Sequence, residues 1–460
     1  MPGTDTGHTA WLLVSSALVL LMTPGLALFY GGMTRSKSVL NMLMMCFATI
    51  ALVSVVWVGY GYSLSFTGDA GGLGLVGTLD SAGLRGLVNN LPDGGVPELA
   101  FVAFQLMFAV ITPALVAGAV ADRARFGAWL LFVAVWVTVV YVPVAHWVFY
   151  FGDPTDPGDG GWIADGLPAF DFAGGTAVHV NAGAAALALA LVLGRRVGWP
   201  RERFKPHNVP MVLMGAGLLW FGWFGFNAGS AVAANGTAAL AFVNTQIASA
   251  AALLGWILVE RVRDGRPTTL GAASGAVAGL VAVTPACATV TPLGAIALGL
   301  VAGAACALAV GLKYKLGYDD SLDVVGVHLV GGATGALLIG LLANSFTGST
   351  GGVDGLLYGG GPAQLGRQAV AVVAVGLYSF VLAYAIGLAI DRTIGFRVRP
   401  EDEVEGVDTT QHAESAYELS LAGAVVAAAH TGQAGDGKVR VTAVQEVARA
   451  RTGERGPDAL

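Results

Sequence analysis

The sequence predicts an all-α fold, a polytopic membrane protein of eleven transmembrane helices. Three observations carry that prediction: an apolar composition, long apolar runs near membrane-crossing length, and basic residues confined to alternate loops. Of 460 residues, 55% are hydrophobic and only 12% charged, against roughly 25% charged in soluble domains. Mean hydropathy is +0.69. The 67 glycines follow no three-residue period, which excludes collagen. Disordered chains need the opposite composition.

A helix needs about 20 apolar residues to cross a bilayer core. Runs of that kind lie at roughly 10–31, 39–62, 99–121, 127–150, 173–194, 209–231, 238–260, 268–288, 291–312, 322–343 and 367–391. The eighth and ninth come from splitting one Ala/Gly/Pro-rich stretch where Pro285 and Pro292 mark a break. The first run has no Lys or Arg before Arg35, so it reads as a permanent span rather than a cleaved signal.

Charge tests this count independently. Arg35 and Lys37 follow the first span, Arg123 and Arg125 the third, and Arg195, Arg196, Arg201, Arg203 and Lys205 the fifth. Arg261, Arg263 and Arg266 follow the seventh, Lys313 and Lys315 the ninth, and Arg392, Arg397 and Arg399 the eleventh. The intervening loops carry Asp69, Asp80, Asp93, Asp153, Asp156, Asp159 and Asp165 instead. The positive-inside rule then places the N-terminus outside and the C-terminus in the cytoplasm. Two regions follow: a transmembrane domain over 1–399 and a cytoplasmic C-terminal regulatory region over 400–460, with a crowded acidic stretch from Glu401 to Glu418.

Several function classes have no support. No basic patch interleaved with aromatics points to nucleic acid. Cys46, Cys287 and Cys306 sit in apolar runs without CxxC spacing and read as small buried residues. No metal-ligand cluster, nucleophile elbow or phosphate loop is present, so neither an enzyme nor a cofactor is expected.

Two spans echo one another. Asp171 precedes His179 by eight residues in DFAGGTAVHVNAG, and Asp320 precedes His328 by the same eight in DDSLDVVGVHLVGG. On a straight helix eight residues rise about 12 Å, which sets each histidine near mid-membrane below an aspartate. These are spans five and ten, and an odd repeat length inverts the second copy. The result is an inverted 5+5 repeat, which places substrate at the repeat interface. Intramembrane histidines mark pathways and proton relays, and the surrounding glycines let the two helices approach closely. Span six adds GWFGFNAGSA, from Gly222 to Ala231, and span three adds Phe101, Phe104 and Phe108 on one helix face. Such aromatic faces attract small cations or close a narrow pore to water.

Together, DFAGGTAVH, GWFGFNAGSA and the span-ten GVH closely resemble the ammonium transporter/methylammonium permease/Rhesus family. The resemblance runs from PGLALFYGG at Pro24 to QHAESAYE at Glu418. It implies an ammonium transporter of the cell (plasma) membrane, a multi-pass homotrimer with one narrow pore per protomer. Its substrates are ammonium or ammonia, with methylammonium as an analogue. It also implies a PII-type signal protein at the cytoplasmic face. Carried over by position, His179 and His328 match the twin pore histidines, and Asp171 matches the aspartate of cation recruitment. Phe108 and Phe226 match a stacked phenylalanine gate with Phe104 one turn away. Ser230 matches the vestibule serine, Trp223 a pore-wall tryptophan and Tyr30 a mid-pore tyrosine; Asp320 is the repeat partner of Asp171.

One departure stands out. Where many members carry a vestibule tryptophan, this chain has Phe149, which keeps a π-face but loses the indole donor and some cation–π strength. Recruitment weakens unless Trp162 substitutes; Trp147, two residues away, points to another helix face. The expectation is recruitment at Phe108, Phe149 and Ser230 in the field of Asp171, then deprotonation and passage of NH3 along the histidines. Alternatives are a neutral NH3/CO2 gas channel and an ammonium sensor that signals through its tail.

Overall fold

The computed structural model describes residues 4–88, 90, 95–152, 159–202 and 204–417. Among them ten helices are long and apolar enough to cross a membrane. They are α1 (Thr6–Met33), α2 (Val39–Phe66), α3 (Glu98–Val120), α4 (Phe126–Phe149), α5 (Gly175–Leu193), α6 (Val209–Gly229), α7 (Gly236–Asp264), α9 (Pro292–Leu316), α10 (Val325–Leu342) and α11 (Ala363–Thr393). An eleventh apolar helix, α8 (Thr269–Val283), is shorter. Its 15 residues rise about 22 Å, less than the ~30 Å of a bilayer core.

The reason α8 is short lies in the sequence after it. Pro285 and Pro292 keep 284–291 from continuing the helix. Backbone released from a helix among apolar neighbours needs other partners. The Asn244 amide of α7 supplies them, donating to the carbonyls of Cys287 and Val290 at 2.8 Å each. Thr291 then caps α9 by accepting from the Gly294 amide. Asn208, Asn235 and Thr268 cap α6, α7 and α8 in the same way, each cap contributing about 1 kcal/mol.

Helices α5 and α10 both begin with a π-helical turn, Gly175–Val180 and Val325–Leu329. Gly174, at φ +111°, turns the chain into the first of them. The two helices meet with their backbones nearly in contact: a Cβ at Gly183 would lie 2.4 Å from the Leu329 nitrogen. Small residues permit such approaches where lipid removes the hydrophobic drive between helices.

At the end of the bundle that carries the basic loops, several cations are not solvent-facing. Arg196 is 4% exposed and pairs with Asp319 at 2.8 Å and Asp122 at 3.1 Å. Arg123 is fully buried and donates to the Asp319 carbonyl and the Ser321 hydroxyl at 2.6 Å each. Burial pushes the Arg123 guanidinium down to about 10. Burial works against the charge on Asp319, but the Arg196 pair outweighs it and holds that carboxyl below the usual range.

Two short helices, α12 (Pro400–Glu405) and α13 (Val407–His412), lie within the first compact unit, which ends at Glu414. Glu403 accepts from the Val197 amide at 2.8 Å. Asp408 accepts from the Leu40 and Asn41 amides at 3.0 and 2.8 Å, and so caps the start of α2, whose own Ser38 makes no side-chain cap. The chain begins its second unit at Ser415, and 418–460 lie outside the described residues.

Candidate functional site

His179 and His328 sit in the two π-helical turns, 1% and 3% exposed. Their Nδ1 atoms are 3.2 Å apart, and the rings stack at 5.3 Å with an interplanar angle of 23°. A hydrogen bond between two Nδ1 atoms requires one to carry a proton and the other to be bare. The neutral pair therefore holds complementary tautomers, one protonated at Nδ1 and the other at Nε2. Trp223 stacks on His179 at 5.5 Å, its indole N–H donating to Thr284 Oγ1 at 2.8 Å. The Tyr30 hydroxyl donates to the Leu115 carbonyl at 3.1 Å. These four rings, with Phe226 and aliphatic side chains, line a narrow cavity of about 30 Å³. That is room for about one water-sized molecule.

The aspartate of each echo does not lie on a straight helix above its histidine. Residues 171–174 precede α5, and Asp171 reaches back as a cap. One Asp171 oxygen accepts from the Gly174 and Gly175 amides at 2.8 and 2.6 Å. The other accepts from the Thr176 and Ala177 amides at 2.7 and 3.1 Å and from the Thr176 hydroxyl. Asp320 likewise accepts from the Val325 amide, at 2.7 Å. The eight-residue spacing thus encodes a capped π-turn rather than eight residues of helix.

A second cavity, of about 260 Å³, is lined by Phe101, Gln105, Phe108, Phe149, Phe151, Asp171, Phe172, Ser230 and Val232. Phe108 lines this wide cavity and Phe226 lines the narrow one. Their ring centroids are 4.2 Å apart at 33°, so one aromatic pair separates the two spaces. Phe104 lines neither; it packs edge-on against Phe108 at 4.9 Å. Ser230 donates its proton to the Phe226 carbonyl at 2.8 Å, which leaves its oxygen lone pairs for other donors.

Phe149 lies in the wide cavity, 6.5 Å from Phe108 at 76°. Trp162 does not line it; that ring packs 5.7 Å from Trp147. Trp147 in turn faces Tyr378 at 4.6 Å and donates to the Leu75 carbonyl. Asp320 lines neither cavity, whereas Asp323, three residues on, lines the narrow one. Sequence reasoning passed over Gln105, Phe151, Phe172 and Asp323. A lone amide one residue after Phe104 in an apolar span was the available signal for Gln105, whose Oε1 has no partner among the described residues.

Apolar helices of spanning length around two cavities, divided by an aromatic pair and followed by a buried histidine pair, define a membrane transport protein for a very small solute. The chain belongs to the ammonium transporter family: the family model described as Ammonium Transporter Family matches residues 10–417. It is similar to the ammonium transporter of Mycobacterium tuberculosis (strain ATCC 25618 / H37Rv), 58% identical over 437 residues and 91% of each chain. The ammonium transporter of Bacillus subtilis (strain 168) is 46% identical over 418 residues, 90% of this chain and 99% of that one. Among solved structures, Candida albicans Mep2 superposes with a TM-score of 0.80 at 37% identity, covering 90% of this chain and 91% of that one.

Proposed function

We propose that this chain moves ammonium across the cell membrane by recruiting the cation, removing its proton, and passing NH3 through the histidine cavity. The observation that carries the proposal is the division of a 260 Å³ cavity from a 30 Å³ one by the Phe108–Phe226 pair. The wide cavity is the outer vestibule. There Phe108 and Phe149 offer π-faces, Ser230 offers an acceptor, and Asp171 acts through its charge, since both its oxygens are occupied by donors. Moving a bare monovalent ion from water into a medium like the narrow cavity costs on the order of 20 kcal/mol by the idealised Born argument. A neutral polar molecule costs only a few kcal/mol. Ammonium escapes the larger cost by leaving its proton in the vestibule, and potassium, of similar size, has no proton to leave.

In this reading His179 and His328 give NH3 a polar path one molecule wide. The shared Asp–His construction at α5 and α10 supports an inverted repeat with the N-terminus outside and the C-terminus in the cytoplasm. Family membership supports a homotrimer and a PII-type partner at the cytoplasmic face. The test is a charge-movement recording on proteoliposomes after an ammonium jump. A current that scales with uptake means that the shed proton crosses by its own route; uptake without charge movement means that it stays outside. A His179→Ala variant with unchanged rate and selectivity overturns the imidazole role.

A further inference from the structure

The narrow cavity has a second end. Asp323 lines it, and Asp323 also lines a third cavity of about 320 Å³, formed with Arg263, Asp264, Val310, Gly311, Lys313 and Tyr314. One carboxylate thus stands between the histidine chamber and the surface that carries the basic loops. Its backbone is held at φ +64°, a left-handed conformation that a residue with a Cβ seldom adopts. Such strain persists where the surroundings over-determine it.

Lys313 fixes this arrangement. Its ammonium lies 2.7 Å from Asp323 Oδ1 and donates to the Asp320 carbonyl at 2.9 Å. The lysine side chain is 9% exposed and that of Asp323 37%. A buried lysine head is a primary alkylammonium, the same chemical group as methylammonium and close in charge and donor pattern to ammonium itself. Asp320 lines neither this cavity nor the histidine chamber; it is buried, and its Oδ1 has no partner among the described residues. Arg263, in the same cavity, is paired with Asp264 at 2.8 Å, so Lys313 is the cation that Asp323 holds there.

We propose that Lys313 is a tethered occupant of the cation site that Asp323 forms at the inner mouth of the pathway. By filling that site it keeps cations of the inner compartment from binding at the end of the histidine chamber, and it prevents re-formed ammonium from lingering there. Neutral NH3 has no charge for the lysine to compete with and passes. The inference rests on the transport reading above and adds a specificity-determining residue to it.

The test uses the full chain in right-side-out and inside-out membrane vesicles, with ammonium uptake measured against rising potassium or ammonium on the basic-loop side. In wild type such trans cations inhibit weakly. Lys313→Met opens the site, and trans inhibition by either cation strengthens about tenfold or more, the effect of ~1.4 kcal/mol in cation binding. Lys313→Arg keeps the wild-type response. Lys313→Met combined with Asp323→Asn removes the site and returns inhibition to the wild-type level. Lys313→Gln, which retains a donor for the Asp320 carbonyl, carries the same prediction as Lys313→Met should the latter fail to assemble. Wild-type trans inhibition in both Lys313→Met and Lys313→Gln overturns the proposal and leaves the transport reading intact. Wild-type vesicles that take up no ammonium overturn both.

Discussion

The wide cavity, proposed as the outer vestibule, and the histidine chamber are separated by a single pair of rings, yet they differ in size and in lining. The vestibule has about 260 Å³, and Ser230 turns oxygen lone pairs away from its own hydrogen bond. The chamber has about 30 Å³, and its two imidazoles bond to each other. One space leaves room for a hydrated cation among π-faces and an acceptor, and the other holds about one small molecule. On the function proposed above, the contrast locates selectivity in a change of charge state between the two spaces and not in the size of either.

The comparison breaks most severely if the chamber loses its geometry. Gly183→Leu places a side chain where a Cβ already lies 2.4 Å from the Leu329 backbone; α5 and α10 separate, and ammonium uptake in proteoliposomes falls below detection. Next in size is Asp319→Asn, which leaves Arg196 buried with half its charge partners. Breaking a buried pair costs about 3–5 kcal/mol, read as a lower melting temperature in detergent. Because the Asp319 carboxyl is held below its usual range, the stability it contributes is present above its unfolded pKa and is lost as pH falls through and below that value. Acid unfolding that is less steep in Asp319→Asn than in wild type checks the sign.

Phe226→Ala removes one ring of the partition and joins the two spaces. Water then reaches the histidines, and a pH-sensitive dye in the vesicle lumen reports a proton leak about tenfold above wild type in the absence of ammonium. The smallest effect sharpens the vestibule side alone. Phe149→Trp strengthens a cation–π contact by about 0.5–1 kcal/mol, which lowers the half-saturating ammonium concentration two- to fivefold and leaves the maximal rate unchanged.

Ten of the eleven expected spans, and the buried histidine pair, were legible because the bilayer forces long apolar runs and makes any ionisable interruption conspicuous. The break between α8 and α9 was legible from Pro285 and Pro292. Hydrogen bonding that ties distant segments was not. Asp171 looked like a residue above His179 on one helix, but it caps the turn from outside it, a geometry that periodicity does not encode. Arg123 and Arg196 counted correctly as basic residues after apolar spans, yet both are buried among carboxylates that the charge rule never consults. Asp323 passed unnoticed beside Asp320 because the repeat spacing drew attention to the residue eight before the histidine and not to the one five before it.

The central claim is that charge is shed at the Phe108–Phe226 pair. Parallel measurement of ammonium and potassium flux through wild-type protein in the same proteoliposomes tests it most directly, since the two cations are close in size and only one has a proton to lose. The account predicts ammonium flux with potassium flux at the level of protein-free liposomes. Potassium carried at a rate comparable to ammonium would contradict it.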